Sequence, residues 1–100
     1  MNIQKHVDGQ TLTLALKGRL DTTTAPQLEQ EVRASLDNVT KLVMDLAELD
    51  YLSSAGLRVL LSAQKQMNRK KGRMVVCHVC EPVMEVFDMT GFSDILTIEE

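Results

Sequence analysis

Two hydroxyl side chains stand where a buried strand gives way to a helix. Residues 41–46 are a short, mostly apolar run typical of a strand covered on both faces, and a short turn leads from them to Ser53 and Ser54. Both serines are favoured N-cap residues for a helix whose apolar positions include Leu57 and Leu60. A helix N-terminus favours negative charge. The serines therefore have two interpretations, a plain helix cap or an acceptor for a phosphate carrying about −1.5 to −2 charges.

A second candidate for chemistry is the C-x-x-C pair of Cys77 and Cys80. A redox dithiol needs a thiolate at a helix N-terminus, and Cys80 does precede a helix start at Pro82. Cys77, however, ends the apolar run 74–77, which predicts a buried and therefore inert thiol. A zinc site needs four ligands, and His78 is the one candidate nearby in sequence. We expect core or cap cysteines and no metal.

Other catalytic constellations lack support in the sequence. His6 and His78 lie on predicted strands with no link in sequence to a serine, so a Ser-His-Asp triad is not indicated. Asp45, Glu48 and Asp50 approach a helix and are typical turn and cap residues. The glycines are too scattered to form a phosphate-binding loop. We therefore expect a protein that is not an enzyme and needs no cofactor.

Length and composition narrow the class of protein further. One hundred residues predict a single domain spanning 1–100. A net charge of −3, a pI near 5.3 and only 3% aromatic residues argue against a direct nucleic-acid partner and against an anionic membrane surface. No signal peptide or membrane-length apolar run is evident, which predicts a cytoplasmic protein.

The positions of turn, cap and apolar residues predict an α/β fold with the order β-β-α-β-α-β-α-β on a mixed sheet. Asp8-Gly9 is a hairpin turn signal, and Gly18 is expected to close the second strand. Pro26 suits a first helical turn, and Gly72 and Gly91 suit helix ends. The predicted strands are 3–7, 11–16, 41–46, 74–77 and 95–98, and the predicted helices begin near 21–24, 53–54 and 82.

Several short motifs occur in register along almost the whole chain. They are Gly18-Arg19-Leu20-Asp21, 42–46, Ser53-Ser54-Ala55-Gly56-Leu57, 73–77 and 86–91. In this order and spacing the sequence resembles the STAS-domain family and, within it, the bacterial anti-sigma factor antagonists. The resemblance implies the STAS fold, with the helices packed mainly on one face of the mixed sheet.

The resemblance also implies a partner-switching mechanism. In this family the unphosphorylated protein binds an anti-sigma factor that is also a serine kinase with a histidine-kinase-like ATPase fold, and this frees the sigma factor. Phosphorylation by that kinase ends binding, and a PP2C-type phosphatase restores it. Alignment on Gly56-Leu57 places Ser54 at the modified position. Ser53 then replaces the family's aspartate and becomes a competing acceptor, and Ala55 replaces its second hydroxyl residue.

The surface that the resemblance implies for partner binding lies around this helix start. Asp21 matches the family's loop aspartate and is also suited to capping the first helix. Arg58 stands where many relatives carry glycine, and it either pairs with an added phosphate or is simply solvated. The full expected set is Asp21, Thr22, Tyr51, Ser53, Ser54, Ala55, Gly56, Leu57 and Arg58.

Two other functions stay open at the level of sequence. One keeps the STAS fold but makes the chain a small subunit of a lipid-transport ABC ATPase. The other is an enzyme, either a thiol oxidoreductase that uses Cys77 and Cys80 or a weak nucleotide hydrolase.

Overall fold

Strands and helices alternate along the chain after an N-terminal hairpin. The computed structural model describes residues 1–99. Its strands are β1 (Asn2–Asp8), β2 (Thr11–Leu20), β3 (Lys41–Leu52), β4 (Arg73–Cys77) and β5 (Ile98–Glu99), and its helices are α1 (Ala25–Ser35), α2 (Ser54–Arg69) and α3 (Glu81–Thr90), with a 3-10 turn at Phe92–Asp94. The predicted order of elements is confirmed.

The five strands form one mixed sheet in the order β1-β2-β3-β4-β5. The hairpin pair β1 and β2 is antiparallel, and every later pair is parallel. Because spatial order follows chain order, three right-handed crossovers place α1, α2 and α3 on the same face of the sheet. This confirms the expected mixed sheet with helices on one face, and it leaves the opposite face uncovered by helices.

The core lies between the sheet and the three helices and is almost entirely aliphatic. Leu12, Leu14 and Met44 point into it and are fully buried, and Phe87 of α3 is buried with them. Gln64 occupies a position on α2 where the helical pattern predicts an apolar residue, and its amide nitrogen donates to Asn68 Oδ1 at 3.0 Å. Within residues 1–99, no helix is both long and apolar enough to cross a membrane.

β3 is twice as long as the predicted strand 41–46, since it continues to Leu52 where a turn is expected. Relative to β2 it carries two extra residues. Ala15 and Lys17 of β2 pair with Asp45 and Glu48, and a second register shift follows after Gly18. Each shift is a β-bulge, and after a bulge the alternation of side chains between the two faces of the sheet is offset by one residue. The buried residues of this segment therefore recur at every third position. Because buried and exposed residues do not alternate here, the sequence pattern does not indicate a strand.

The other differences from the predicted elements lie at their ends. Gly18 does not close β2 but lies within it at φ +104°, a conformation that glycine adopts without strain, next to the second bulge. α1 ends at Ser35, just short of the predicted 37–38. The expected last strand 95–98 is wrong in extent. The backbone N–H groups of Ile95 and Leu96 donate to the Phe92 carbonyl and close a turn there, so that β5 begins only at Ile98.

Candidate functional site at the start of α2

The carboxyl ends of two neighbouring parallel strands bring the predicted site together. Leu20 at the end of β2 pairs with Leu52 at the end of β3. One residue further on, the Ser53 N–H donates to the Leu20 carbonyl at 2.9 Å. The β2–α1 loop, which contains Asp21, and the start of α2 are therefore neighbours, as the family resemblance implies. Loops at the carboxyl end of parallel strands are the usual place for function in α/β sheets.

Asp21 organises the β2–α1 loop through a set of short hydrogen bonds. Its Oδ1 accepts from the Thr23 hydroxyl at 2.7 Å, from the Thr23 N–H at 3.0 Å and from the Thr24 N–H at 3.2 Å. The Thr24 hydroxyl accepts from the Asp21 N–H at 2.8 Å and donates to the Arg19 carbonyl at 2.8 Å. Thr24 is the N-cap residue of α1 and makes no side-chain capping bond to the helix, so the predicted capping of α1 by the Asp21 side chain is wrong. Asp21 instead orders the turn that precedes the helix.

The hydrogen bond from the Thr23 side chain, helped by the backbone N–H groups, holds the pKa of Asp21 below its usual value near 3.8. A lowered pKa in the folded state means that Asp21 supports the fold above pH 3.8 and loses that contribution as the pH falls through the folded value. We expect the Asp21 carboxyl carbon, followed by NMR, to titrate below pH 3.8.

Two threonines of the loop provide a matched pair of variants for this titration. T23V removes the strongest donor to Asp21 and is expected to raise its titration midpoint. T22V alters an exposed neighbour that makes none of the Asp21 contacts described above and is expected to leave the midpoint in place. Equal midpoints in the wild type and T23V would show that the loop does not hold the carboxylate in this way.

The two serines have different structural roles. Ser53 is the N-cap of α2, with an extended backbone at φ −97° and ψ 174°, and its half-buried hydroxyl accepts from the Gly56 N–H at 3.4 Å. Serine and aspartate are both favoured caps, so serine can replace the aspartate that the family resemblance leads one to expect here. Ser54 is the first residue of α2 and is exposed to solvent.

Two residues of the expected partner-binding set lie beneath the surface. Leu57 is only 5% exposed, and Gly56 is buried against Leu20 and Leu52, where an added Cβ would lie 2.7 Å from carbons of both side chains. The expectation that Gly56 and Leu57 form part of the docking face is therefore corrected: they support the site from below.

The remaining expected residues line its rim and an adjacent groove. Tyr51 is 42% exposed, and the Arg19 guanidinium lies 4.2 Å from the centre of its ring, a cation–π contact. Thr22, Ala55 and exposed Arg58 line an open groove of about 340 Å³ between α1 and α2. The sequence interpretation missed the other residues of this groove, Ala25, Pro26, Glu29, Val59 and Ser62. The spacing of Ala55, Arg58 and Ser62 along one helix face is the signal that could have found them.

The surroundings of Cys77 do not favour a redox nucleophile. Both are free and half-buried, so the prediction of a fully buried Cys77 is wrong: it is the last residue of β4 and reaches the uncovered face of the sheet. Burial, with the nearby charges of Asp45 and Glu99, raises the pKa of the Cys77 thiol, the opposite of what a redox nucleophile needs. Cys80 is the N-cap residue of α3, as expected of a cap cysteine, and its Sγ donates to the Leu49 carbonyl at 3.5 Å.

The fold and this helix start define a class of protein. The profile of the STAS domain family matches residues 2–100, and the chain belongs to this family. It is 41% identical over 93 residues to the anti-sigma factor antagonist BtrV of Bordetella bronchiseptica, an alignment that covers 92% of this chain and 79% of BtrV. It is 33% identical over 103 residues to the anti-sigma F factor antagonist of Paenibacillus polymyxa, covering 98% and 87% of the two chains.

Solved structures agree on the fold. The unphosphorylated form of the anti-sigma factor antagonist SpoIIAA superposes with a TM-score of 0.80 at 19% identity, covering 99% of this chain and 88% of SpoIIAA. The phosphorylated form of SpoIIAA from Bacillus superposes with a TM-score of 0.78, covering 99% and 92%. A protein of the same class from Thermotoga maritima gives a TM-score of 0.87 at 16% identity, covering 98% and 86%. At these identities the likeness establishes the STAS fold.

Proposed function

We propose that this chain is an anti-sigma factor antagonist, a single STAS domain that regulates transcription by binding and is switched by phosphorylation of Ser54. The observation that carries the proposal is the exposed Ser54 hydroxyl at the first position of α2, beside the Asp21 loop and the α1–α2 groove. Relatives up to 41% identical over most of the chain are named anti-sigma factor antagonists. The fold is also known in an unphosphorylated and a phosphorylated form in SpoIIAA.

Ser54 is a better acceptor than Ser53 for a structural reason. The Ser53 hydroxyl is half-buried and accepts the Gly56 N–H, so a phosphate on it would disrupt the cap of α2. Ser54 is exposed and already at the helix N-terminus, where a phosphate meets unsatisfied N–H groups and the positive end of the helix dipole. Modification of Ser54 therefore leaves the fold intact and changes only the surface.

A phosphate at this position changes the charge that a partner meets. It adds about −1.5 to −2 charges to a surface that already holds the ionised Asp21 carboxylate nearby. Arg58 is one helical turn along from Ser54 and can pair with part of the new charge. A partner surface fitted to the neutral hydroxyl would have to accommodate a desolvated charge, and like charges brought together at an interface cost several kcal/mol.

The proposed partners are an anti-sigma factor serine kinase with a histidine-kinase-like ATPase fold and a PP2C-type phosphatase, acting in the cytoplasm. The proposed docking surface is the exposed and half-buried part of the expected set together with the groove. It consists of Asp21, Thr22, Tyr51, Ser53, Ser54, Ala55 and Arg58. In this role the chain binds and is modified but catalyses no reaction itself.

Phosphorylation by the cognate kinase and ATP, mapped by mass spectrometry, tests the choice of acceptor. We expect one phosphate, on Ser54, in the wild type, and none in S54A. S53D is the matched control, because aspartate keeps the helix cap but removes the competing hydroxyl, and it is expected to be phosphorylated like the wild type. Phosphate on Ser53, or undiminished phosphorylation of S54A, would contradict the assignment. Absence of phosphate from every variant would favour the alternative of a lipid-transport ATPase subunit, which needs no such modification.

A further inference from the structure

Three side chains of types that can bind a metal converge on the face of the sheet that the helices leave uncovered. Asp45 of β3 pairs in register with Cys77 at the end of β4, and His78 follows directly. The His78 Nδ1 lies 3.0 Å from Asp45 Oδ1 and 3.6 Å from Cys77 Sγ. One carboxylate oxygen, one imidazole nitrogen and one sulfur atom all lie within 4.8 Å of one another. Asp45 and Cys77 are half-buried, and His78 is exposed.

The shape of this cluster favours chelation over a catalytic triad. In a Cys-His-Asp triad the cysteine and the carboxylate contact opposite nitrogens of the ring. Here both contact the same nitrogen, Nδ1, so no proton relay through the ring is possible. Zinc bonds are about 2.0–2.1 Å long to nitrogen, about 2.0–2.2 Å to oxygen and about 2.3 Å to sulfur. In a tetrahedral site these lengths place nitrogen about 3.4 Å from oxygen and about 3.6 Å from sulfur. The N–O separation of 3.0 Å and the N–S separation of 3.6 Å are close to these edges.

The backbone positions two of these residues. His78 has a left-handed conformation at φ +56°, which is uncommon outside glycine. Asp45 Oδ1 also accepts the Ala47 N–H at 3.0 Å, which orients the carboxylate. Orientation of a carboxylate by a hydrogen bond of this kind is typical of metal ligands.

We propose that Asp45, Cys77 and His78 bind a zinc ion on the uncovered face of the sheet, apart from the phosphorylation site. Thiolate and imidazole ligands select zinc over calcium or magnesium, which prefer oxygen ligands. The fourth position is available to water or to Glu99, which pairs in register with Cys77 on β5. This inference does not depend on the proposed function, and it revises the expectation from sequence that the chain has no metal site.

A bound ion would tie β3 to the connection between β4 and α3. Binding to the folded state alone stabilises it by mass action. We expect the melting temperature of the full chain to rise by several degrees in excess Zn²⁺ relative to EDTA, and D45N to remove that rise. An equal rise in the wild type and D45N would overturn the role of Asp45.

Titration with Co²⁺, followed by absorption, tests the ligands directly because a cobalt–thiolate bond gives a charge-transfer band. We expect one ion per chain with this band, and an affinity at least about 100-fold lower in C77S and H78N, where asparagine also tolerates the left-handed backbone. The chain supplies its own matched controls in its other cysteine and other histidine. C80S and H6N are expected to bind like the wild type.

The presence of the cobalt–thiolate band, and its behaviour in C77S compared with C80S, decide whether the proposal holds. A band that survives in C77S but disappears in C80S would overturn it, as would the absence of any thiolate band from the wild type. Should C77S fail to fold by circular dichroism, H78N and D45N carry the same test without altering either cysteine.

Discussion

Replacing Ser54 with glutamate is expected to weaken binding to the cognate anti-sigma factor by about 100-fold, equivalent to about 2.7 kcal/mol. The substitution places a permanent charge at an exposed position in the middle of the proposed docking surface, and charge mismatch at an interface costs several kcal/mol. The helix N-terminus accepts a carboxylate, so the fold itself is expected to be unchanged. Isothermal titration calorimetry of S54E and the wild type measures the difference.

S54Q separates charge from size, because glutamine has the shape of glutamate without its charge. We expect S54Q to retain most of the affinity, with at most about a tenfold loss from the larger side chain. Equal losses in S54E and S54Q would mean that Ser54 acts through packing, and the electrostatic explanation of the switch would fail.

Introducing a methyl group at Gly56 is expected to destabilise the fold by about 1–3 kcal/mol. The new Cβ would lie 2.7 Å from Leu20 Cγ and from Leu52 Cδ1, so the start of α2 must move away from the ends of β2 and β3. The gain in helix propensity from alanine, at most about 1 kcal/mol, offsets part of this cost. Urea denaturation of G56A against the wild type measures the change, and a melting temperature lower by about 4–8 °C per kcal/mol accompanies it.

A double variant tests whether the clash is the cause. L20A alone opens space and costs about 2–5 kcal/mol, since Leu20 is fully buried. L20A removes two of the three nearest atoms and leaves the flexible end of Leu52, so the extra cost of G56A is expected to fall in that background. Undiminished destabilisation by G56A in the L20A background would contradict the proposed contact.

The sequence predicts well where signals are local. The cap at Ser53 and the basic end of α2 lie within one turn of the helix ends that they define, and α2 spans Ser54–Arg69 as expected. The left-handed residue that follows this helix is Lys71, at φ +61°, and not the predicted stop glycine Gly72. The alternating strand starting at Thr11 and the hairpin turn at Gly9 are equally local. These elements suffice to place Ser54 at an exposed helix start.

Features that depend on pairing between distant segments could not be predicted in the same way. The bulges of β3 exist only relative to β2, so Leu49 and Leu52 belong to a strand although their spacing does not alternate. The groove between α1 and α2 requires the packing of two helices against each other. The contact between Asp45 and His78 joins residues 33 positions apart through the register of β3 and β4.

Gly56 and Leu57 illustrate a different limit. Their place in a family motif predicts importance but not exposure, because a motif records both residues that touch a partner and residues that support them. Only the packed structure separates the two, with Leu57 buried and Ser54 exposed three residues earlier on the same helix.

The reversible switch itself is tested most directly by measuring affinity for the cognate anti-sigma factor on one preparation of the full chain in three states. These are the unmodified chain, the chain phosphorylated at Ser54 by the kinase, and the same chain after phosphatase treatment. We predict tight binding, a loss of about 100-fold or more, and full recovery. Equal affinity of the unmodified and Ser54-phosphorylated chains would contradict the proposal that this hydroxyl controls partner binding.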